Sequence, residues 1–195
     1  MADYMKRVAF TIILNGHRHL VHKNYYDTMS KNFDLWVIVE GLSNPGGSTS
    51  WCNELDSKFH NNFISNDGTS EFLDDNKKDN VIIVRPENRP WDSKDEQVNA
   101  AIEEIKKHYN ECFLWQIDID EQWSKEQLEE AEKYLQESKG KTGCFLCNYF
   151  VGPNQLVFGE WGEGTSGPYR RLWNWSGESF KTHEPPQLEG KNGPG

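Results

Sequence analysis

Four short apolar runs constrain this chain most: Val8–Leu14, Leu35–Val39, Val81–Val84 and Phe113–Ile117. Each is continuous rather than alternating, is rich in β-branched or aromatic residues, and closes on polar residues. A strand that is apolar on both faces must be covered on both faces, the habit of parallel sheets packed between helices. The covering helices are legible too. Ser93-Lys-Asp-Glu96 and Ser124-Lys-Glu-Gln127 are capping boxes. Val98, Ala101, Ile102, Ile105 and Tyr109 follow the first at helical spacing, and Leu128, Ala131 and Leu135 follow the second. Residues 17–30 and 51–64 each have room for a helix, the latter through Trp51, Leu55, Phe59 and Phe63 at steps of four. Beyond Lys139-Gly140, the strand-like stretches Cys144–Val151 and Gln155–Phe158 are joined by Gly152-Pro153-Asn154. The pattern predicts an α/β, Rossmann-like open mixed sheet flanked by helices, in a single domain.

Composition narrows the partners. The 195 residues carry 21 Lys and Arg against 31 Asp and Glu, a net charge of −10. A body this acidic repels phosphate backbones and anionic lipid, so nucleic-acid and membrane-surface binding are not expected. Aromatics make up 13% of the chain, with 8 Trp, which excludes disorder for most of its length. No apolar run approaches the ~18 residues of a membrane span, and Met1–Arg7 has no signal-peptide core. A cytoplasmic chain without an integral membrane segment is expected. Cys144 and Cys147 form a C-x-x-C with no second pair, so they and the isolated Cys52 and Cys112 are read as buried structural cysteines.

In an open α/β sheet the ligand lies beyond the carboxyl ends of the strands. The polar residues there are Asn15, Glu40, Arg85 and the cluster Asp118-Ile-Asp-Glu121. No Gly-x-Gly-x-x-Gly and no P-loop is present, which removes the common dinucleotide and P-loop nucleotide sites. Three carboxylates within four residues repel one another unless a cation joins them. A hard divalent ion held by one or two carboxylates and substrate phosphates is one remedy. The plain alternative is that acidic residues favour the positive N-terminus of the next helix. Near the far end, Arg170 and Arg171 are donors suited to diphosphate oxygens, and His183-Glu184 before Pro185-Pro186 is either a metal or phosphate contact or an ordinary loop.

Together these pieces resemble glycosyltransferases of the GT-A fold, especially family 2-like enzymes. The carriers are Ile12-Ile-Leu-Asn15, Val37-Ile-Val-Glu40, the Asp-x-Asp motif in Leu114-Trp-Gln-Ile-Asp-Ile-Asp-Glu121, and Arg170-Arg-Leu-Trp173 followed ten residues on by His183-Glu184. The resemblance spans about residues 8–186. It implies a GT-A-like domain over 1–186, with a nucleotide-binding part at 1–123, an acceptor-side part at 124–186 and an irregular tail at 187–195. It implies that Glu40 meets the base or ribose, that Asp118 approaches the ribose or sugar, and that Asp120 coordinates Mn²⁺ or Mg²⁺ on the diphosphate. His183 would sit near the metal or phosphates, and Arg85 and Lys94 would be phosphate or sugar contacts. The activity implied is metal-dependent transfer of a sugar from a nucleotide-sugar donor to a carbohydrate or glycoconjugate acceptor.

An inverting reaction needs a base for the acceptor hydroxyl. Glu160 and Glu163, in a glycine-flanked segment, are the candidates, because the family's usual Glu-Asp base motif is missing here. Two other functions fit part of the pattern: a sugar-nucleotidyltransferase and a non-catalytic carbohydrate-binding module. The first wants a better Gly- and Arg-containing loop than Asn15-Gly-His-Arg-His19, and the second is usually an antiparallel sandwich. Trp51, Trp91, Trp123 and Trp161 fall beside strand-end loops and are expected to line a sugar pocket, with Trp36, Trp115, Trp173 and Trp175 in the core.

Overall fold

All four apolar runs become strands. The computed structural model describes residues 5–44, 56–152, 155–157 and 169–190. Strands β1 (Arg7–Ile13), β2 (Leu35–Glu40), β3 (Val81–Val84) and β4 (Cys112–Gln116) pair in parallel, in the spatial order β3-β2-β1-β4. Helices α1 (His17–Val21), α2 (Tyr25–Ser30), α3 (Thr69–Asp75), α4 (Lys94–Ile105) and α5 (Lys125–Glu137) connect and cover them. Both expected capping residues act: the Ser93 hydroxyl accepts from Glu96 N–H, and the Ser124–Gln127 box is complete.

Strand periodicity divides the core into two layers. Val8, Phe10, Val37, Val39 and Leu114 turn toward Val98, Ala101, Ile102 and Ile105 of α4. The alternate residues Ala9, Trp36, Ile38, Phe113 and Trp115 turn the other way, toward Tyr26 and Met29 of α2 and Leu128 and Leu135 of α5. All six positions of β2 are buried, as a strand covered on both faces requires.

The second half completes the sheet. Strands β5 (Thr142–Phe145), β6 (Phe150–Gly152), β7 (Gln155–Leu156), β8 (Tyr169–Trp175), β9 (Phe180–Thr182) and β10 (Gln187–Leu188) follow. β8 runs antiparallel between β4 and β5, giving a six-stranded mixed sheet in the order β3-β2-β1-β4-β8-β5. The fold is the expected α/β open mixed sheet flanked by helices, in one domain. Among the described residues no helix is long and apolar enough to cross a membrane.

Several local expectations are corrected. Residues 17–30 are two helices, because Lys23 and Asn24 adopt left-handed φ of 47° and 58° and break the run. The expected helix over 51–64 lies partly outside the described residues. From 56 on it is a 3₁₀ turn, Ser57–Phe59, followed by left-handed Asn62 and Phe63. The strand expected at Cys144–Val151 is split, with β5 starting and ending earlier and β6 resuming at Phe150. α3 and β8 were not expected. The tail expected to be irregular from 187 begins with β10, which pairs with β9 and buries Leu188 completely.

Candidate functional site

The carboxyl ends of β1, β2, β3 and β4 share one edge of the sheet, and the antiparallel β8 begins at that same edge. This topology brings Arg170 and Arg171 beside the residues that follow β4. Ile117 N–H donates to Phe10 C=O at 3.0 Å, and its own carbonyl accepts from the Thr11 hydroxyl at 2.8 Å. That hydroxyl in turn accepts from Trp36 Nε1 at 2.9 Å. The chain is therefore pinned immediately before Asp118. A β-turn follows, closed by Glu121 N–H to Asp118 C=O at 2.9 Å, and it sets Asp118 and Glu121 side by side with Asp120 at the exposed tip.

A cation does join the carboxylates, and it belongs to the chain itself. Arg171 Nη2 lies 2.7 Å from Asp118 Oδ2, and Arg171 Nε and Nη2 reach Glu121 Oε1 at 2.8 and 2.7 Å. The Arg171 side chain is 8% exposed, so the pair of contacts offsets the desolvation of a buried charge. Burial opposes the guanidinium's charge, but Asp118 and Glu121 hold its pKa above the ordinary value. Burial likewise pushes the Glu121 carboxyl up, against the pull of Arg171. The second Glu121 oxygen is poorly served, with Trp123 Nε1 and Asp118 N–H both at 3.4 Å.

His183 arrives from the opposite direction, after β9. Its backbone N–H donates to Asp95 Oδ1 at 2.6 Å in the first turn of α4. The ring is buried, and Nδ1 has no hydrogen-bond partner among the described residues. Burial lowers its pKa, as does the charge of Lys94, the first residue of α4, while Asp118 acts in the other direction. The fold thus seats Arg171 on Asp118 and ties the His183 backbone to the first turn of α4, near enough to Lys94 and Asp118 for their charges to act on its ring.

Asn15, Glu40 and Arg85 form a separate network along the β1–β2–β3 end of the same edge. Glu40 is fully buried. Its carboxylate accepts from Ser65 N–H at 3.2 Å, from Arg85 Nε at 2.7 Å and from the Ser70 hydroxyl. Arg85 also reaches Asp74 at 3.0 Å, and Asn15 holds Phe59 C=O and Asn66 N–H at 2.6 and 3.0 Å. These residues anchor the loop 56–68 in this structure, and the Glu40 carboxylate is occupied by the protein. Gly41 must be glycine: its φ is +130°, and a Cβ there would sit 2.8 Å from Pro86 Cδ. A cavity of about 370 Å³ lined by Arg85, Pro86, Glu87, Arg89 and Trp91 opens beside this network.

Other expectations change. Trp91 is largely buried, with Nε1 donating to Glu40 C=O at 3.1 Å, and its remaining surface lines the cavity beside Arg85. Trp123 packs edge-on against Trp115 and Phe145 at centroid distances of 5.0 Å. Cys112 is buried as expected, but Cys144 is exposed and Cys147 half-buried, because β5 is an edge strand that ends before Cys147. Burial and then the charge of Glu121 raise the Cys147 thiol pKa, which places that residue beside the acidic turn. Glu160, Glu163, Trp161, Trp51 and Cys52 lie outside the described residues.

Two residues at this edge escaped the sequence. Gln116, the last residue of β4, is buried with an unpartnered Oε1, and Tyr25 is buried with an unpartnered hydroxyl. With Arg170 Nε, His183 Nδ1 and, one step deeper on β8, Trp173 Nε1, they complete the set of buried side-chain polar atoms without partners among the described residues. Native interiors pair nearly all such atoms, so a concentration of orphans marks a place where a ligand, ion or water is expected. No sequence signal distinguishes an orphan amide or phenol from a paired one.

Among the described residues no group of three His, Cys, Asp or Glu side chains is placed to hold a metal ion. A divalent ion with a diphosphate needs fewer, because it keeps waters and takes phosphate oxygens. Asp120, exposed and without a hydrogen bond or ion pair among the described residues, and the second oxygen of Asp118 are donors of the right chemistry, whereas the expected trio of Asp118, Asp120 and His183 is not assembled.

No family model matches the chain, and no curated protein matches it. Among solved structures it is similar to S. aureus TarS 1–349, with a TM-score of 0.46 and 15% identity over 80% of this chain and 38% of that one. It is also similar to 4-diphosphocytidyl-2C-methyl-D-erythritol synthase, with a TM-score of 0.45 and 10% identity over 88% of this chain and 76% of that one. The chain therefore spans well under half of the TarS chain.

Proposed function

We propose that this chain is a metal-dependent glycosyltransferase that moves a sugar from a nucleotide-sugar donor to a carbohydrate or glycoconjugate acceptor. The observation that supports the reading is the contact of Arg171 with Asp118 at the carboxyl edge of the sheet, with the His183 ring buried and within range of the Asp118 charge. That edge is where open α/β sheets bind ligands. The body carries a net charge of −10, and the buried Arg171 sets a fixed positive charge among the carboxylates of this turn. A divalent ion on the turn would add the positive charge that draws a diphosphate to so acidic a body.

Asp120, alone or with the second oxygen of Asp118, would hold Mn²⁺ or Mg²⁺ together with waters and diphosphate oxygens, since the expected trio with His183 is not assembled as a metal group among the described residues. When bound, such an ion supplies Lewis-acid stabilisation of the charge that builds on a departing diphosphate. Arg171 orients Asp118 through a charge-assisted hydrogen bond, so the carboxylate is positioned before the ligand arrives. Arg170 and Lys94 provide the remaining donors for phosphate oxygens.

A thermal-shift panel of UDP-, GDP- and dTDP-sugars, with and without Mn²⁺, tests the reading. A ligand that binds only the native state raises apparent stability by about 2.7 kcal/mol at a hundredfold excess over Kd. One donor class is expected to raise Tm in a metal-dependent way. A flat panel, or an Asp120→Ala variant with unchanged binding and turnover, removes the proposal. Release of diphosphate from a nucleoside triphosphate and a sugar phosphate would favour a sugar-nucleotidyltransferase instead.

A further inference from the structure

Strand β5 pairs antiparallel with β8, with Phe145 opposite Tyr169, so the chain leaves β5 at the carboxyl edge where β8 begins. Phe145 turns inward, against Trp115 and Trp123. The residues after it turn outward. Six large apolar side chains are exposed among the described residues, and three of them, Leu146, Tyr149 and Phe150, fall within five positions. Leu146 is 61% exposed and Phe150 66%. The backbone beneath them is paired: Val157 N–H donates to Tyr149 C=O at 2.9 Å, and Phe150 lies opposite Leu156 in the β6–β7 ribbon. A concentration of exposed apolar side chains on paired backbone marks a contact surface.

Contacts join this surface to the acidic turn. The Tyr149 and Tyr169 hydroxyls lie 2.5 Å apart. The Arg171 guanidinium sits over the Tyr169 ring, 5.5 Å from its centroid, and binds Asp118 and Glu121. Only Tyr169 and Arg171 stand between Tyr149 and Asp118. We propose that Tyr149, Phe150 and Tyr169 form the platform for a neutral oligosaccharide acceptor, which runs from the acidic turn out over the β6–β7 ribbon. A sugar ring presents an apolar C–H face and a rim of hydroxyls. Aromatic rings match the first, and phenols, which both donate and accept, match the second. Charge selects among glycans: Asp118, Glu121 and a body of net charge −10 repel an anionic chain and admit a neutral one. The inference rests on the preceding reading for the reaction at the acceptor's end, and on the aromatic surface for its binding.

The test presents the full chain to an array of neutral oligosaccharides of glucose, galactose, mannose and N-acetylhexosamines, with sialylated chains as the anionic comparison. Calorimetry then measures whatever binds. At least one neutral class is expected to bind, and Phe150→Ala is expected to weaken it by about fivefold to tenfold, the worth of one aromatic contact. Phe150→Leu keeps the apolar bulk without the ring face and is expected to weaken it as much. Because Phe150 is largely exposed, both variants are expected to keep the wild-type Tm and the wild-type shift with Mn²⁺ and nucleotide-sugar. No neutral chain bound, sialylated chains bound in preference, or binding untouched by Phe150→Ala each overturns the inference. So does full binding in Phe150→Leu, which assigns the patch to apolar contact alone. Self-association, or binding to phosphatidylcholine vesicles, that Phe150→Ala abolishes in a chain that binds no glycan assigns the surface to another partner and also overturns it. The reading of the donor site stands or falls separately, on the metal-dependent shift of the wild-type chain.

Discussion

Arg171 Nη2 stands 2.7 Å from Asp118 Oδ2 across 53 positions of sequence, and this contact joins the two halves of the chain at the edge where the site lies. It exists because β8 enters the sheet antiparallel beside β4, with Trp115 opposite Leu172. Arg171→Ala is expected to destabilise the fold by about 3 kcal/mol, because Glu121, at 18% side-chain exposure, is left as a poorly compensated buried charge. Urea unfolding at neutral pH measures this as a lower midpoint with an unchanged slope.

Thr11 joins the core to the site. Thr11→Val keeps the shape but leaves both Trp36 Nε1 and the Ile117 carbonyl without this hydroxyl. A cost of about 2 kcal/mol is expected from the desolvated groups. Faster amide exchange is expected at residues 117–121 than at β2, because the pin just before Asp118 is lost. Hydrogen exchange resolved by residue checks both.

At the opposite end of the sheet, Arg7 and Glu132 are both about 4% exposed in their side chains. Glu132 Oε1 also accepts from Trp115 Nε1 at 2.9 Å. Glu132→Ala is expected to cost about 3–5 kcal/mol, since it strands a buried guanidinium, whereas Arg7→Met with Glu132→Leu is expected to recover most of that loss. Comparison of the single and double variants by urea unfolding decides it. Diphosphate binding is expected to persist in the double variant, because the pair lies far from the carboxyl edge.

Asp120 is exposed and has no partner among the described residues, so Asp120→Ala is expected to leave the Tm of the ligand-free protein unchanged. The Mn²⁺-dependent part of any nucleotide-sugar shift is expected to vanish. Thermal melts of the variant with and without Mn²⁺ and ligand separate these outcomes.

Asp67 ties the start of α1 to the start of α3. Burial opposes its charge, but the Thr69 hydroxyl and the amides of Thr69 and His17 hold its pKa below the ordinary 3.8. A depressed carboxylate pKa contributes stability that is present above the unfolded value and is lost as pH falls through the folded one. Wild type and Asp67→Asn are therefore expected to differ in stability at pH 7 and to converge as pH falls below 3.8 and through the depressed folded value. Urea midpoints across that window test the sign.

Local chemistry made the first half of the fold legible. Val81–Val84 is a strand with the bounds read from its sequence, and the Ser93 and Ser124 caps start α4 and α5 where expected. Helix 17–30 was legible only as a region, because its break at Lys23 and Asn24 depends on where Tyr25 must pack. Of the tryptophans, those inside strands were placed correctly. Trp91, expected at a pocket, does line the cavity beside Arg85, but the bond to Glu40 C=O and the turn at Gly41 that fix it there are tertiary contacts.

The sequence by itself determined the parallel strands, the carboxyl edge as the place for polar chemistry, and the pairing of an acidic turn with distant basic residues as candidates. Those features are periodic or contiguous, so hydrophobic patterning and capping suffice to read them. Only the tertiary structure decided that Arg171 is the cation between Asp118 and Glu121, that Glu40 is occupied by Ser65, Ser70 and Arg85, and that Tyr25 buries a hydroxyl with no partner among the described residues. Each of these is a contact between residues dozens of positions apart or the lack of one. Such contacts follow from how β8 and α2 pack against the sheet, and no local pattern encodes that geometry.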